Sequence, residues 1–230
     1  MLKVLGSTRI KSSPLDLLLS SLLRESTGVF APVLAYMANL SFSECCFPPA
    51  FKTAQALTLL KKSWLDAAVL SNFRPTSNLS TVSKILERLA LTRLRRHLHG
   101  SPNFSRLQSA YRDGHSTETA LLHVLNSVYA ASDNRRTTVL IGLESASFDT
   151  ISHDILIERR EAQFAVCDSA LSWFRSYLLG RQHFVKLGQH SSNIMPCDSG
   201  VPQGSVLGPL LFTAYVAPVS ELIDSFGVSH

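Results

Sequence analysis

The chain has 230 residues, of which 45% are hydrophobic and 17% charged, a composition that excludes a disordered tail and predicts a globular protein. The formal net charge of +5 is compatible with an anionic partner but does not require one. The four cysteines form no C-x-x-C pair, so the sequence supports neither a zinc ribbon nor a disulfide framework.

The apolar runs are too short to cross a bilayer, and no signal-peptide core follows Lys3. We therefore expect no membrane partner and no secretion. Reduced cysteines are the default inside the cell, so we expect the cytoplasm or the nucleus.

The first part of the chain is predicted to be helical, with one strand. Ser13 is a suitable N-cap for the first helix, and the paired prolines at 48–49 end the second helical region. The strand brings Lys61 and Lys62 to its end. The predicted elements are an irregular segment at 1–13, helices at 14–24 and 31–42, and a strand at 54–60.

A loop is predicted over 72–79, where Pro75 forces Arg74 into an extended conformation. Lys61, Lys62 and Arg74 could together hold a triphosphate, because arginine makes bidentate phosphate contacts and lysine acts as a point charge. The plainer interpretation is three solvated basic side chains.

Residues 80–99 give the clearest helical pattern, an apolar stripe with basic side chains elsewhere on the surface. Those basic residues, Arg88 among them, form either a solvated face or a contact with a nucleic-acid backbone. A second helix is predicted over 117–131, and Arg112 lies in the turn before it.

The second half alternates strands and helices without a regular βαβ period, which favours an α+β fold. A strand over 137–143 leads into Glu144, Phe148 and Asp149. The remaining predictions are helices at 152–162 and 168–180, a hairpin from 182–187 and 192–196, and a helix from 207 that is disturbed at Pro218.

The most specific segment is Gly200–Phe212, which reads GVPQGSVLGPLLF. Pro202 and the glycines exclude an ordinary strand, and Ser205 and Pro209 suit the start of a buried helix. The free backbone N–H groups at such a start would face a docked ligand. Gln203 would present its amide from between Pro202 and Gly204. A simple turn before a core helix is the alternative.

This string resembles the template- and nucleotide-positioning loop of reverse transcriptases from non-LTR (LINE-type, jockey-like) retrotransposons. The resemblance implies a right-hand polymerase, mostly helical with a small antiparallel sheet and without a thumb. Its fingers would occupy residues 14–136 and a partial palm residues 137–230.

The resemblance also implies site roles. Lys61, Lys62 and Arg74 would hold the phosphates of the incoming nucleotide, Phe148 would lie under its sugar, and Gln203 and Gly204 would contact it. Template and primer would meet Arg112, Arg88 and Pro202. The partners would be an RNA template, a DNA primer and deoxynucleotides, with Mg²⁺ as the family's cofactor.

The carboxylates depart from the family's pattern. A two-metal reaction needs a cluster of them, and the first aspartate of these enzymes lies six positions before the aspartate that matches Asp149. Leu143 occupies that position, which leaves Glu144 as a displaced catalytic and metal-binding substitute beside Asp149. The Tyr-x-Asp-Asp hairpin would come later, and none of the nine aspartates are adjacent.

We therefore expect a fragment that ends before that hairpin, binds no Mg²⁺ stably and is inactive. The alternatives are a non-enzymatic degenerate remnant that keeps some nucleic-acid binding, or a helical interaction module.

Overall fold

In the computed structural model, the described residues are 1–7, 13–16, 18–142 and 148–227. Within those ranges the helices are α1 (Leu2–Gly6), α2 (Ser20–Glu25), α3 (Thr27–Ser43), α4 (Thr81–His99), α5 (Thr117–Asp133), α6 (His153–Phe164), α7 (Asp168–Leu178), α8 (Gly208–Val216) and α9 (Pro218–Ser225). The strands are β1 (Thr53–Leu60), β2 (Phe73–Asn78), β3 (Arg181–Leu187), β4 (His190–Ser191) and β5 (Met195–Cys197).

The strands form one sheet in the order β2-β1-β3-β4, with β5 also paired to β3. Because β1 and β3 run parallel, the sheet is mixed, and the prediction of a purely antiparallel sheet was wrong. The predicted loop at 72–79 is also wrong, since β2 pairs with β1 over six residues. Pro75 fits there because β2 is an edge strand, where a missing N–H costs no ladder bond.

The main core lies among α4, α6, α7 and α8 and is rich in aromatic rings. Trp173 donates its indole N–H to Ser41 Oγ at 2.9 Å, and its ring stacks on Tyr177 at 5.8 Å. Charged side chains are also buried in this region, and one of them lacks a hydrogen-bond partner among the described residues. Arg160 on α6 is fully buried, and none of its nitrogens has a hydrogen-bond partner among the described residues.

The N-terminal predictions need correction. Residues 1–13 were expected to be irregular, yet α1 forms there and buries Leu5. The helix expected at 14–24 is reduced to α2, because Ser13 and Asp16 make a local turn in which the Ser13 N–H donates to Asp16 Oδ2 at 3.0 Å. Asp16 also accepts the Thr81 N–H and so ties this turn to the start of α4.

The strand predicted over 137–143 is absent from its described part, 137–142. Its β-branched and apolar residues suit a strand, but no described strand pairs with it, and Val139, Leu140 and Ile141 are exposed. The neighbouring helix α5 is confirmed, with a capping box between Ser116 and Thr119. It buries none of its residues.

The other predicted helices and the β3 hairpin are confirmed within a few residues. One detail of these predictions is wrong: Asp168 was predicted to be the N-cap of α7. The N-cap is Cys167, and the Cys167 side chain makes no capping hydrogen bond. The division of the chain at residue 136 stays a prediction. No helix in the described ranges is long and apolar enough to span a membrane.

Candidate functional site

The segment Gly200–Leu207, hereafter the Gln203 loop, is anchored first to the segment that carries Asp149. The Gly200 N–H donates to Ile151 O at 2.7 Å, and the Val201 N–H donates to Phe148 O at 2.8 Å. Gly200 has φ +76°, and a Cβ there would lie 2.8 Å from Phe148 O. Only glycine fits both the left-handed backbone and this close approach.

Gln203 joins two parts of the fold. Its Nε2 lies 3.2 Å from each carboxylate oxygen of Asp149, so the amide donates to both. Its backbone carbonyl accepts the Ser77 N–H from β2 at 2.7 Å. Asp149 and Gln203, which the sequence singled out separately, are therefore in contact beside the β1–β2 hairpin.

Gly204 explains how closely the loop approaches that hairpin. It has φ +99°, and a Cβ built on it would lie 3.0 Å from Ser77 O and 3.6 Å from Thr76 Cγ2. A side chain would push the loop away from β2. Pro202, the predicted template contact, is half-buried and accepts the Ser205 N–H at 3.0 Å.

The backbone N–H groups at the start of α8 are not free, contrary to the prediction that they would face a ligand. Glu87 Oε2 accepts the Val206 N–H at 2.7 Å and the Leu207 N–H at 3.1 Å. Ser205 Oγ accepts the Gly208 N–H at 2.9 Å, as expected of a capping serine. A carboxylate of the protein thus occupies the place predicted for a ligand.

Phe148 lies in an aromatic cluster at the edge of the core. Its ring centroid is 5.2 Å from that of Phe212 on α8 and 6.5 Å from that of Tyr111. It is half-buried and packs against the main core. The predicted role beneath a nucleotide sugar stays a prediction, and the packing role is observed.

The three predicted phosphate ligands lie along the β1–β2 hairpin and are exposed. Lys61 and Lys62 follow β1, where the Lys62 ammonium lies 5.1 Å from the Trp64 ring. Arg74 lies on the same face of β2 as Thr76, since alternate residues of a strand share a face. Arg74 is therefore on the face that Gly204 approaches, three residues from the Ser77 contact. The grouping of the three side chains around a triphosphate stays a prediction.

The other two predicted template contacts, Arg112 and Arg88, lie outside the Gln203 loop. Arg112 is half-buried, donates to Arg106 O at 2.8 Å and borders a small cleft together with Val206 and Pro209. Arg88 on α4 is half-buried and already engaged in an interaction. Neither contacts Asp149 or Gln203 through a described hydrogen bond.

A cavity of about 340 Å³ opens beside Asp149 and Gln203. Lys52 and Arg181 are among its lining residues, together with Cys197 and Asp198. Arg181 is nearly fully buried, donates Nε to Tyr177 O at 2.8 Å and lies 4.0 Å from the Tyr177 ring. Burial lowers the pKa of Lys52 and raises that of the Cys197 thiol.

The described residues do not fit the family's paired Mg²⁺ ions. No three His, Cys, Asp or Glu side chains in the described ranges come close enough together to hold a metal ion. Asp149 is present, but both of its oxygens face the Gln203 amide. Glu144, the predicted substitute, lies outside the described residues.

The family model for reverse transcriptase (RNA-dependent DNA polymerase) matches residues 59–230 of the chain.

The chain belongs to the reverse transcriptase family.

It is 30% identical to the RNA-directed DNA polymerase from mobile element jockey of Drosophila melanogaster over 196 residues, and this alignment covers 82% of the chain. The corresponding protein of Drosophila funebris is 30% identical over 174 residues, 74% of this chain. The chain spans 21% and 18% of these two relatives. The resemblance to non-LTR reverse transcriptases is thus confirmed.

Sequence reasoning missed two residues at the site. Glu87 binds the end of the Gln203 loop, and Arg181 lines the cavity beside Asp149. Glu87 lies on the buried side of α4, in line with Ser83 and Ala90 at helical spacing. A single carboxylate within that row of small and apolar residues was the available signal, because a buried charged residue usually has a specific partner. Arg181 at the start of β3 carried no comparable signal.

Proposed function

We propose that this chain forms the fingers and part of the palm of an RNA-directed DNA polymerase, and that its Gln203 loop helps to seat the template, primer and incoming nucleotide. The contact that carries this proposal is the pair of hydrogen bonds from Gln203 Nε2 to Asp149. Together with the Ser77 bond, it places one amide between the β1–β2 hairpin and the segment that carries the family's Phe-Asp pair.

The basic side chains around this loop support a nucleic-acid partner. Arg74 lies on the strand that touches the loop, and Arg112 lies beside the start of α8. When arginines bind phosphates, counterions condensed on the nucleic acid are released. This release is less favourable at high salt, so affinity falls steeply as the salt concentration rises. Template and primer would approach the loop from these two sides.

We also propose that these 230 residues do not transfer nucleotides by themselves. The support is the position of Leu143, whose side chain has no metal-binding atom, where the family's first aspartate falls. Mg²⁺ prefers oxygen ligands in near-octahedral geometry and tolerates little displacement, so Glu144 one residue later is a poor substitute.

The test combines binding with extension. We expect a labelled RNA template annealed to a DNA primer to bind with an affinity that falls linearly with salt on logarithmic axes. Arg74→Ala should reduce that slope by roughly one, and the exposed Arg24→Ala should leave it unchanged. A flat salt response would contradict the binding proposal, and Mg²⁺-dependent primer extension would contradict the inactivity proposal.

A helical interaction module is the second candidate, and α5 favours it. Leu121, Leu122, Leu125 and Tyr129 are 44–63% exposed, and the helix buries nothing in the described structure. Such a surface is typical of a protein contact. Replacement of Leu121 and Leu125 with serine would abolish any self-association seen in sedimentation, whereas a parent chain that stays monomeric at high concentration would not support this function.

A further inference from the structure

Glu87 is a fully buried carboxylate whose described partners are neutral. Its Oε2 accepts the N–H groups of Val206 and Leu207, and its Oε1 accepts the Ser83 hydroxyl at 3.2 Å. An isolated buried carboxylate is costly unless hydrogen bonds satisfy it. Three donors provide that here, two of them backbone amides about 120 residues away in sequence.

These bonds complete the attachment of the Gln203 loop. Its first residues bond to Phe148 and Ile151, on either side of Asp149, and its centre bonds to Ser77. Among the described hydrogen bonds, Glu87 is the acceptor for the N–H groups of Val206 and Leu207, whereas the Ser205 hydroxyl accepts that of Gly208. The Leu207 side chain is in addition buried in the main core. Glu87 therefore fixes the end of the loop that lies three residues beyond Gln203.

We infer that Glu87 is a positioning residue for the Gln203 loop. Its carboxylate clamps the amides of Val206 and Leu207, and thereby sets where Gln203 presents its side chain to Asp149 and to substrate. A cap that served only the helix could come from a nearby residue, as it does from Ser205. Glu87 instead ties the loop to α4, a different element. The inference rests on the proposed function only for its effect on substrate.

Hydrogen exchange of the free chain tests the clamp without any ligand. Glu87→Gln keeps the shape and one acceptor oxygen but removes the charge, and hydrogen bonds to charged groups are the stronger ones. We expect exchange at the Val206 and Leu207 amides to become about tenfold faster, with a smaller increase at Ser77. The amides of α3 should be unchanged; α7 is not a suitable reference, because its Tyr177 interacts with Glu87. The exposed control Glu161→Gln should change none of these rates.

The pattern separates positioning from general stability. If Glu87→Gln accelerates α3 as much as the loop, its role is structural and the inference is wrong. If the loop amides keep their parent rates, the clamp does not exist. Should the variant not fold, Ser83→Ala replaces it, since loss of the Ser83 bond should still speed the same two amides by about threefold; unchanged rates would overturn the inference.

Binding then tests the effect on substrate. Glu87→Gln and Gln203→Ala should each weaken primer–template binding by about tenfold, and the double variant should be no weaker than Gln203→Ala. Additive losses would show that Glu87 acts independently of Gln203 and would contradict positioning. If the parent shows no salt-dependent binding, the proposed function fails, whereas the clamp is still decided by exchange.

Discussion

Replacing Arg160 with methionine should stabilise the protein. The guanidinium is enclosed in the core, has no hydrogen-bond partner among the described residues and lies 4.1 Å from the Phe174 ring. Methionine has a similar length and fills irregular spaces without carrying a charge. The change removes an unpaired buried cation and keeps most of the packing.

The magnitude follows from the pKa of Arg160, which burial lowers to about 9, well below the usual value of a guanidinium. At about 1.4 kcal/mol for each tenfold change in protonation, the penalty is on the order of 5 kcal/mol. The contact with the Phe174 ring returns about 1–2 kcal/mol. We therefore expect Arg160→Met to raise the free energy of unfolding by about 3 kcal/mol.

Urea unfolding followed by circular dichroism measures this, with the midpoint shifting upward at constant slope. The pH dependence has a definite sign. Because the pKa is lower in the folded state, the penalty is fully present below about pH 9 and declines as the pH rises above that value, so the advantage of the variant should shrink at pH 10–11. The exposed Arg96→Met is the control. A lower midpoint for Arg160→Met would refute the reasoning, because it would mean that the guanidinium is paired.

Gly200→Ala should destabilise the chain by roughly 2–4 kcal/mol, because the new Cβ would lie 2.8 Å from Phe148 O. The control Gly188→Ala, which has φ +60° but open space around it, should cost about 1 kcal/mol. Equal costs in urea unfolding would show that the clash with Phe148 O is not the cause. Ala165 ends α6 in the left-handed conformation at φ 50°. Ala165→Gly should therefore raise the thermal midpoint, by about 0.5–1 kcal/mol in stability, and a lower midpoint would contradict the assigned backbone.

Local rules located most of the helices because their apolar spacing and caps lie within one segment. The stripe of α4 and its Ser80 cap, and the capping box of α5, are examples. The motif in Gly200–Phe212 likewise located the loop and its helix. Local rules failed where pairing between strands decides whether a strand forms. Pro75 led to the prediction of a loop where β2 pairs with β1. Residues 137–142 were predicted to be a strand, although no described strand pairs with them.

The site shows the same limit. The sequence singled out Gln203 and Asp149 separately, since both lie in recognisable motifs, but it did not predict that they contact each other. It could not predict that Glu87 accepts the backbone N–H groups just before α8, because the bond from Val206 to Glu87 joins residues 119 positions apart. It also did not reveal that Arg160 is buried, since the α6 pattern contains two successive arginines and only packing shows which one lies inside.

Hydrogen exchange of the chain with and without an RNA template–DNA primer duplex tests the central claim most directly, because it reports where the duplex contacts the protein. We predict slower exchange at residues 200–208 and in β2, and the loss of that protection in Gln203→Ala but not in the exposed Gln189→Ala. Protection confined to α5, or none in the Gln203 loop, would contradict the account.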